Sequence, residues 1–366
     1  MKITIIAGAR PNFMKIAPLV HVIQTEQANG KALDYRLVYT GSPNETCLDD
    51  TLFEDLGINA PDAYLNIEST DFFERLGGIL IAFAHELDNH PTDLVLVVDD
   101  MTPTMACTIV AKKKGIKVAH LVAGIRSFDM DMPKEVNRMI TDGLSDYFFT
   151  AGINSNRNLN QTGTEQANVY FVGNILIDTL RNNRQRFIRP EMPLNITDGQ
   201  YLLFTLNRRV VADNTFQLRN LLETLLQHTT LPIIAPLHNY MAEKIKATGV
   251  DLSRFHILPS QSYLRFGYLE NHAAGIITDS GNVAEEATFL GIPCITLNDY
   301  VEHPETINQG TNVMVGLDMK VLAEALDNLK KGNWKTGSLP ERWDGRTAER
   351  IIQILEEIEN QKPCKD

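Results

Sequence analysis

The sequence lacks any apolar run that approaches the roughly 20 residues needed to cross a membrane. Its N-terminus, MKITIIAGARPNFMK, places a lysine before apolar residues, as a signal peptide does, but the apolar stretch ends at Arg10. That stretch is too short for an export signal and predicts a first β-strand instead. We therefore expect a cytoplasmic protein that has no membrane partner.

Cysteine pairs and basic runs are also missing. The four cysteines (Cys47, Cys107, Cys294 and Cys364) form no CxxC pair and no metal-ligand spacing, so they predict reduced thiols and no metal site. The formal net charge is −12, and the one basic cluster, residues 112–114, is typical of a solvated helix end. This balance argues against a nucleic-acid partner. An acidic chain can still bind an anionic small molecule where a few cations converge.

Short apolar runs alternate with helical patterns along most of the chain. In the first half the runs are ITIIAG, YRLVYTG, DLVLVVDD, KVAHLVAG, DYFFTAG and VYFVGN. They are β-branched or aromatic without strict polar alternation, which is typical of strands buried on both faces of a parallel sheet. Residues 14–27, 72–87, 104–114 and 135–145 have helix-like apolar spacing. The pattern predicts a doubly wound α/β fold.

The same pattern restarts after residues 186–200, a stretch with prolines and asparagines that resembles a linker. The later runs are YLLFTLN, LPIIAPLH, FHILP, AGIITDSG and IPCITLN. We therefore expect two Rossmann-like domains that face each other across a cleft, over residues 1–185 and 186–345. A last helix within residues 346–366 has an apolar stripe. It packs on its own domain or returns to the first one, and spacing does not choose between them.

Two strand ends carry residues suited to an anionic ligand. In GARPNFMK, Arg10 and Lys15 flank the start of a helix, which favours a phosphate. An ordinary turn is the alternative, since there is no GxGxxG fingerprint. In TDSGNVAEEA, Ser280 and Gly281 place helix amides near a ligand. One of the following glutamates, such as Glu286, binds ribose hydroxyls or only complements the helix dipole.

Other polar residues at strand ends have several interpretations. Asp99 and Asp100 are a weak candidate for a metal pair, and because neighbouring strand residues point to opposite faces, at most one is expected to face the cleft. Arg208, in the run NRR, adds a cation. His238 and His303 are single histidines, each a plain polar contact or a catalyst.

Taken together, the motifs resemble the non-hydrolysing UDP-N-acetylglucosamine 2-epimerase family, which has a two-domain GT-B-like fold. GARPNFMK is similar to the family's GTRPEAIK, VVDDMTPT to VHGDTTTT, HLVAGIRS to HVEAGLRT, MPKEVNR to PEEANR, FVGNILID to VTGNTVID, TDSGNVAEEA to TDSGGIQEEA, and VEHPETINQG to TERPEAVEAG. The resemblance covers nearly the whole chain in motif order. The short spacer between Arg126 and Pro133 resembles the branch that acts on diacetamido-uronate sugars.

The resemblance implies a reaction in which UDP is eliminated to leave a 2-acetamidoglucal and is then added back with C2 inverted. Such chemistry needs a base, an acid on the other face and cations on the leaving diphosphate. It implies catalytic roles for Asp100, Glu135 and Arg138. The implied UDP-sugar contacts are Arg10, Lys15, Arg126, Arg208, His238, Ser280, Gly281 and Glu286. It also implies a homodimer, a last helix that returns to the first domain, and no metal or organic cofactor.

The chain departs from the family pattern at chemically important positions. Val122 replaces the acid of HVEAG, Lys134 replaces the first glutamate of PEEANR, and Asn207 replaces the histidine of HRREN, with Val210 in place of its glutamate. Because valine cannot transfer a proton, Asp99, Asp129 or Asp131 are candidates for the missing role beside Asp100. We therefore expect a UDP-sugar 2-epimerase for surface polysaccharide synthesis. The alternatives are a UDP-sugar-binding protein without turnover, or a UDP-sugar hydrolase or transferase.

Overall fold

The computed structural model describes residues 1–45, 48, 51–193 and 196–361. These form two compact units: unit 1 contains Met1–Arg181 together with the chain from Glu341 onward, and unit 2 contains Asn182–Pro340. The units divide after residues 181 and 340, where the sequence predicts boundaries after 185 and 345. Cys107 and Cys294 are buried free thiols, and Cys47 and Cys364 lie outside the described residues.

The sheet of unit 1 is parallel, with the strand order β3-β2-β1-β4-β5-β6-β7. Its strands are β1 (Lys2–Ala7), β2 (Asp34–Tyr39), β3 (Ala63–Tyr64), β4 (Leu94–Val98), β5 (Lys117–Leu121), β6 (Tyr147–Thr150) and β7 (Val169–Phe171). The helices of unit 1 are α1 (Arg10–Ala28), α2 (Leu52–Leu56), α3 (Phe72–Asn89), α4 (Thr102–Lys113), α5 (Pro133–Leu144), α6 (Ile153–Gln161), α7 (Ile175–Asn183) and α15 (Thr347–Asn360). Helix α7 ends just inside unit 2.

Unit 2 repeats this arrangement with the strand order β10-β9-β8-β11-β12-β13, again parallel. Its strands are β8 (Leu202–Phe204), β9 (Ile233–Pro236), β10 (Phe255–Leu258), β11 (Gly275–Thr278), β12 (Cys294–Thr296) and β13 (Asn312–Met314). Its helices are α8 (Arg209–Asp213), α9 (Thr215–His228), α10 (Asn239–Ala247), α11 (Tyr263–Asn271), α12 (Gly281–Leu290), α13 (Glu305–Asn308) and α14 (Met319–Lys330). Short 3₁₀ turns cover Gln166–Asn168 and Arg184–Arg186.

The central strands are largely apolar because helices cover both faces of each sheet. Strand β4 (LVLVV) is apolar throughout, whereas β1 (KITIIA) also contains Lys2 and Thr4. Ile5 of β1 lies opposite Leu37 of β2 and Leu96 of β4. In unit 2, Leu203 of β8 is flanked in the same way by β9 and β11. The predicted α/β class with two Rossmann-like halves is confirmed.

The last helix belongs to unit 1 and contacts α1. Asp178 of α7 fastens its start by accepting a hydrogen bond from the backbone amide of Ala348 at 2.7 Å. The buried Trp343, just before the helix, donates its indole N–H to the carbonyl of Ala151 at 3.0 Å. Within the described residues, no helix combines the length and the apolar character required to cross a membrane.

Candidate active site

Each sheet has one pair of neighbouring strands at which the strand order reverses. These pairs are β1 and β4 in unit 1, and β8 and β11 in unit 2. In an open parallel sheet the loops diverge beyond the carboxyl ends of such a pair, which leaves a crevice where ligands bind. Four of the polar segments identified in the sequence follow these strands: GARPNFMK after β1, VVDDMTPT at the end of β4, NRR after β8 and TDSGNVAEEA after β11.

The loop after β1 is joined to the loop after β4 by two side chains of α1. The carbonyl oxygen of the Asn12 side chain accepts hydrogen bonds from the amides of Gly8 and Ala9, at 2.8 and 3.1 Å. Its Nδ2 group donates to Asp99 Oδ2 at 2.7 Å. Lys15 Nζ lies 2.5 Å from Asp99 Oδ1. Asp99 is thus held toward α1 by an amide and a cation.

Asp100 points in the opposite direction, toward α5. Arg138 contacts Asp100 Oδ2 through Nε at 2.9 Å and through Nη2 at 2.6 Å. Lys134 Nζ lies 3.4 Å from Asp100 Oδ1, and the Lys134 side chain is 57% exposed. Asn137 donates to the backbone carbonyl of Asp100 at 2.9 Å. The two adjacent aspartates therefore face different helices and do not form a metal pair. No group of three or more His, Cys, Asp or Glu side chains in the described part of the chain is arranged to hold a metal ion.

The charges around Asp100 favour its ionised form. Burial works to raise the pKa of Asp100, but the charges of Lys134 and Arg138 outweigh it and hold that pKa below its usual range. Asp100 is therefore a carboxylate at neutral pH. Since Arg138 occupies Oδ2, Oδ1 beside Lys134 is the oxygen better placed to accept a proton.

Glu135 lies beneath the loop that precedes α5. It accepts hydrogen bonds from the amide and hydroxyl groups of Ser127, both at 2.9 Å, and from the amide of Phe128 at 3.2 Å. Arg138 Nη1 contacts it at 3.1 Å. Burial works to raise the pKa of Glu135, but these hydrogen bonds hold it below its usual range. The contacts indicate that Glu135 positions the loop and Arg138.

Arg126 lies in a buried network rather than with the accessible cations. Its side chain is 2% exposed, and Nη1 lies 2.5 Å from Asp142 Oδ2. Asp142 Oδ1 lies 2.7 Å from His120 Nδ1, and His120 Nε2 lies 2.8 Å from the backbone oxygen of Asp99. Burial works to raise the pKa of Asp142, but His120 and Arg126 hold it low. A direct contact between Arg126 and UDP stays a prediction that requires this ion pair to open.

The loops around Asp100 contain strained backbone. Asp99, Val122 and Phe128 have φ angles of 60°, 68° and 60°, in the left-handed region that favours glycine. For Val122, a β-branched residue, this conformation is costly, and such strain persists where surrounding structure enforces it, often at functional sites. Asp129 and Asp131, in the same segment as Phe128, are exposed.

In unit 2, Asp279 joins the loops that follow β8 and β11. Its Oδ2 atom accepts hydrogen bonds from the backbone amides of Asn207 and Arg208, both at 2.7 Å. Oδ1 is buried and has no hydrogen-bond partner among the described residues. Burial raises the pKa of Asp279 even though these amides oppose the shift. Asp279 thus fixes the loop that carries Arg208, which lies 3.8 Å from Asp299.

Helix α12 begins directly beyond Asp279. Its N-cap residue, Ser280, makes no side-chain capping hydrogen bond, and the first turn contains no acidic residue. A Cβ atom added to Gly281 would meet only Glu302 Oε2, at 3.7 Å. The first amides of a helix lack intrahelical partners and suit an anion. The start of α12 can therefore approach a phosphate closely.

The two glutamates of α12 have different surroundings. Glu285 Oε1 lies 3.8 Å from His303 Nε2, and both side chains are buried, so His303 makes a polar contact inside unit 2. Glu286 is also buried and faces Glu270 of α11. His238, the N-cap residue of α10 after β9, is exposed and lies 3.0 Å from Ser260 Oγ.

Sequence reasoning missed several residues that build these loops. Asn12, His120 and Asp142 hold Asp99 or its neighbours, and Asp279 holds the loop that carries Arg208. Asn12 and His120 stand inside the motifs GARPNFMK and AHLVAG, so their position beside a strand end was an available signal. No local pattern connects His120 with Asp142, since they are separated by 22 residues.

Two doubly wound parallel sheets, with cations at one strand switch and an uncapped helix start at the other, are the arrangement typical of nucleotide-binding α/β proteins. Comparison with known proteins identifies the family. Residues 25–356 match the sequence profile described as UDP-N-acetylglucosamine 2-epimerase. The chain is 34% identical over 370 residues to the UDP-N-acetylglucosamine 2-epimerase of Methanocaldococcus jannaschii, covering 97% of this chain and 99% of that protein.

One further relative and one solved structure support the same family. The UDP-2,3-diacetamido-2,3-dideoxy-D-glucuronate 2-epimerase of Pseudomonas aeruginosa is 32% identical over 363 residues, covering 98% of this chain and all (100%) of that protein. The crystal structure of the M. jannaschii enzyme in complex with UDP-GlcNAc and UDP matches with a TM-score of 0.83 and 33% identity, over 98% of this chain and 100% of that chain. The protein belongs to the UDP-N-acetylglucosamine 2-epimerase family, as the motifs predicted.

Proposed function

We propose that the protein is a UDP-sugar 2-epimerase that acts on a UDP-linked N-acetyl amino sugar in surface polysaccharide synthesis. The observation that carries this proposal is the arrangement beyond β1 and β4, where an ionised Asp100 lies between Arg138 and Lys134. Family membership and this arrangement together favour proton transfer at a carbon acid over simple binding.

The proposed reaction has two halves. In the first, a base removes the C2 proton, the bonding electrons form a C1=C2 double bond, and the C1–O bond to UDP breaks with its electrons leaving on the phosphate oxygen. In the second, the same UDP oxygen adds back to C1 while C2 receives a proton on the opposite face. The substrate and product differ only in the configuration at C2.

Asp100 is the base or acid on one face, and its low pKa keeps the carboxylate ionised, so that it can accept a proton at neutral pH. Arg138 and Glu135 act by position, because Arg138 holds Asp100 and Glu135 holds both Arg138 and the loop before α5. Arg10 and Lys15, on the first turns of α1, stabilise the departing diphosphate. Asp99, Asp129 and Asp131 are the candidates for the other face, and single substitutions to asparagine distinguish them.

The nucleotide is bound by unit 2 in this proposal. The start of α12 receives a phosphate through the amides near Ser280 and Gly281. Glu286 accepts hydrogen bonds from the ribose hydroxyls, while Arg208 and His238 stand at neighbouring strand ends. The names of the relatives give two candidate substrates, UDP-linked N-acetylglucosamine and a UDP-linked diacetamido uronate. Lys134 favours the uronate, because it places an exposed cation beside Asp100 where the family motif has a glutamate, and a cation can pair with the carboxylate of a uronate.

The experiment is incubation of the purified protein with each UDP-sugar in D₂O, followed by proton NMR of C2. Deuterium at C2 together with a mixture of the two C2 configurations supports epimerisation. Release of free UDP and sugar without deuterium at C2 identifies a hydrolase and overturns the proposal.

Binding of a UDP-sugar without turnover is the second candidate, and one observation favours it. Val122 occupies the position of a family acid and carries no group that transfers a proton. A UDP-dependent rise in melting temperature without deuterium incorporation from either sugar supports this candidate. If Val122→Glu combined with Lys134→Glu then creates exchange, the chain has lost a catalytic function that its fold still supports.

We also propose a cytoplasmic homodimer. Helix α5 buries polar residues, including Glu135, Arg138 and Asp142, and leaves apolar ones exposed. Met139 and Leu144 are 38% and 36% exposed. A surface helix usually buries its apolar face and exposes its polar one. Because α5 does the opposite, we expect its exposed apolar residues to be covered by the second subunit. Sedimentation of the wild type is expected to give a dimer, and Met139→Glu with Leu144→Glu a monomer.

A further inference from the structure

The least expected polar pair in unit 2 joins two carboxyl groups. Glu270 of α11 and Glu286 of α12 are both buried, with 1% and 6% of their surfaces exposed. Their side chains are hydrogen-bonded to each other. Because an ionised carboxylate only accepts hydrogen bonds, two carboxyl groups in such contact require a shared proton.

The proton resides on Glu270. Oε1 of Glu270 is buried without a hydrogen-bond partner among the described residues, so no donor stabilises a negative charge there. Burial and the neighbouring Glu286 raise the pKa of Glu270 well above its usual range. Glu286, which is less buried, keeps the charge and receives a hydrogen bond from its neighbour.

The other titratable groups around this pair, two tyrosines and a cysteine, are uncharged at neutral pH. Tyr263, on the helix of Glu270, has a buried hydroxyl group without a partner among the described residues. Burial raises the pKa values of Tyr263, Tyr201 and Cys294. These three groups are therefore uncharged at neutral pH.

We propose that Glu270 is a positioning residue, protonated in the folded enzyme, that holds the Glu286 carboxylate in the orientation that accepts the ribose hydroxyls. This inference rests on the proposed function, in which Glu286 contacts the ribose. It assigns a role to a residue that the reaction itself does not use. It also makes nucleotide affinity depend on pH, because ionisation of Glu270 places two negative charges in contact and moves Glu286.

The shared proton is tested by unfolding, without any ligand. If folded Glu270 keeps its proton while the unfolded residue loses it above about pH 4.5, folding of the wild type takes up one proton. The unfolding constant of the wild type relative to Glu270→Gln then rises about tenfold per pH unit from about pH 5 until Glu270 ionises. Parallel curves for the two proteins overturn the proposal. Glu243→Gln, at an exposed position of α10, is the matched control and is expected to run parallel to the wild type.

The positioning role is tested by calorimetry with UDP and its 2′,3′-dideoxy analogue. Glutamine at 270 still donates a hydrogen bond to Glu286, so Glu270→Gln keeps the preference for UDP, at about tenfold or more. Glu270→Leu loses that donor, and the preference is expected to fall to about twofold while affinity for the analogue is unchanged. An undiminished preference in Glu270→Leu contradicts the positioning role.

The pH dependence separates this inference from the proposed function. UDP affinity of the wild type is expected to fall at alkaline pH, whereas that of Glu270→Gln stays constant. Equal losses in both proteins exclude Glu270 as the cause. If UDP and the analogue bind to none of the proteins, the nucleotide role of unit 2 fails, and the unfolding curves still decide whether Glu270 holds a proton.

Discussion

The two strand switches share a topology but use different chemistry. Beyond β1 and β4, carboxylates are paired with side-chain cations, whereas beyond β8 and β11 Asp279 is bound by backbone amides. All non-glycine residues with positive φ in the described part of the chain lie in unit 1: Asn66, Asp99, Val122, Phe128 and Arg342. Unit 1 therefore holds charges on strained loops, which fits the proposed proton transfer, and unit 2 presents backbone groups suited to a nucleotide.

The largest effect that tests this contrast is expected for Asp100→Asn. The amide is isosteric and contacts Arg138, but it cannot accept the C2 proton, so C2 exchange should fall about 10³-fold. The rate is measured by deuterium incorporation in D₂O. Asp88→Asn, at an exposed aspartate of α3 that pairs with Lys114, serves as the comparison. If Asp88→Asn loses as much exchange as Asp100→Asn, the loss does not come from removal of a base at Asp100.

Lys15→Ala asks whether unit 1 also binds the diphosphate. It removes the cation that pairs with Asp99 at the start of α1. UDP affinity should decrease by at least about tenfold, or become undetectable, as measured by calorimetry. Lys31→Ala removes a cation of unit 1 that pairs with Glu26 and Glu356, and it should leave affinity unchanged. Unaltered binding in Lys15→Ala would remove this residue from the phosphate site.

The pH dependence of catalysis is expected to shift in Lys134→Met. Lys134 and Arg138 hold the pKa of Asp100 below its usual range. A base is lost as pH falls through its pKa, so the wild type keeps this base active down to its lowered pKa. Without Lys134 the acid limb of kcat/KM should move to higher pH. The profile is measured from about pH 3 to pH 8, so that it includes the range of the lowered pKa. An acid limb that stays in place excludes Asp100 as the titrating base.

The smallest effect concerns backbone strain at Val122. Its φ of 68° disfavours a β-branched side chain, so Val122→Gly should stabilise the fold by about 1 kcal/mol. Urea unfolding provides the measurement. Ala123→Gly, at the adjacent buried position, has no such strain to relieve and should be destabilising. If both variants lose similar amounts of unfolding free energy, the packing of the Val122 side chain stabilises the fold by more than its strained backbone destabilises it.

The sequence predicts the long strands well because burial on both faces requires continuous apolar runs. It misses β3, whose two residues are too few to form such a run, and β13, which begins with the polar Asn312 and has only two apolar residues. The helix start after Thr278 is predicted from local chemistry, since the motif TDSG places a cap and a glycine at a strand end. These features depend on neighbours along the chain.

Contacts between distant segments were not predictable in the same way. From its loop sequence Arg126 is expected to be an exposed cation, yet its side chain is buried in an ion pair with Asp142 of α5. Glu270 has the spacing of an ordinary helical carboxylate, and only the packing of α11 on α12 brings it to Glu286. Both arrangements depend on pairings across the fold, which single-sequence patterns do not contain.

The contrast between the strand switches is tested most directly by calorimetric titration of UDP into the wild type, Asp100→Asn and Gly281→Val side by side. The fold has room for a side chain at position 281, but that side chain blocks the approach to the first amides of α12. We predict that Gly281→Val lowers UDP affinity by about tenfold or more, while Asp100→Asn stays within about twofold of the wild type. A loss of UDP affinity in Asp100→Asn equal to that in Gly281→Val, or unchanged affinity in Gly281→Val, would contradict the assignment of nucleotide binding to unit 2 and proton transfer to unit 1.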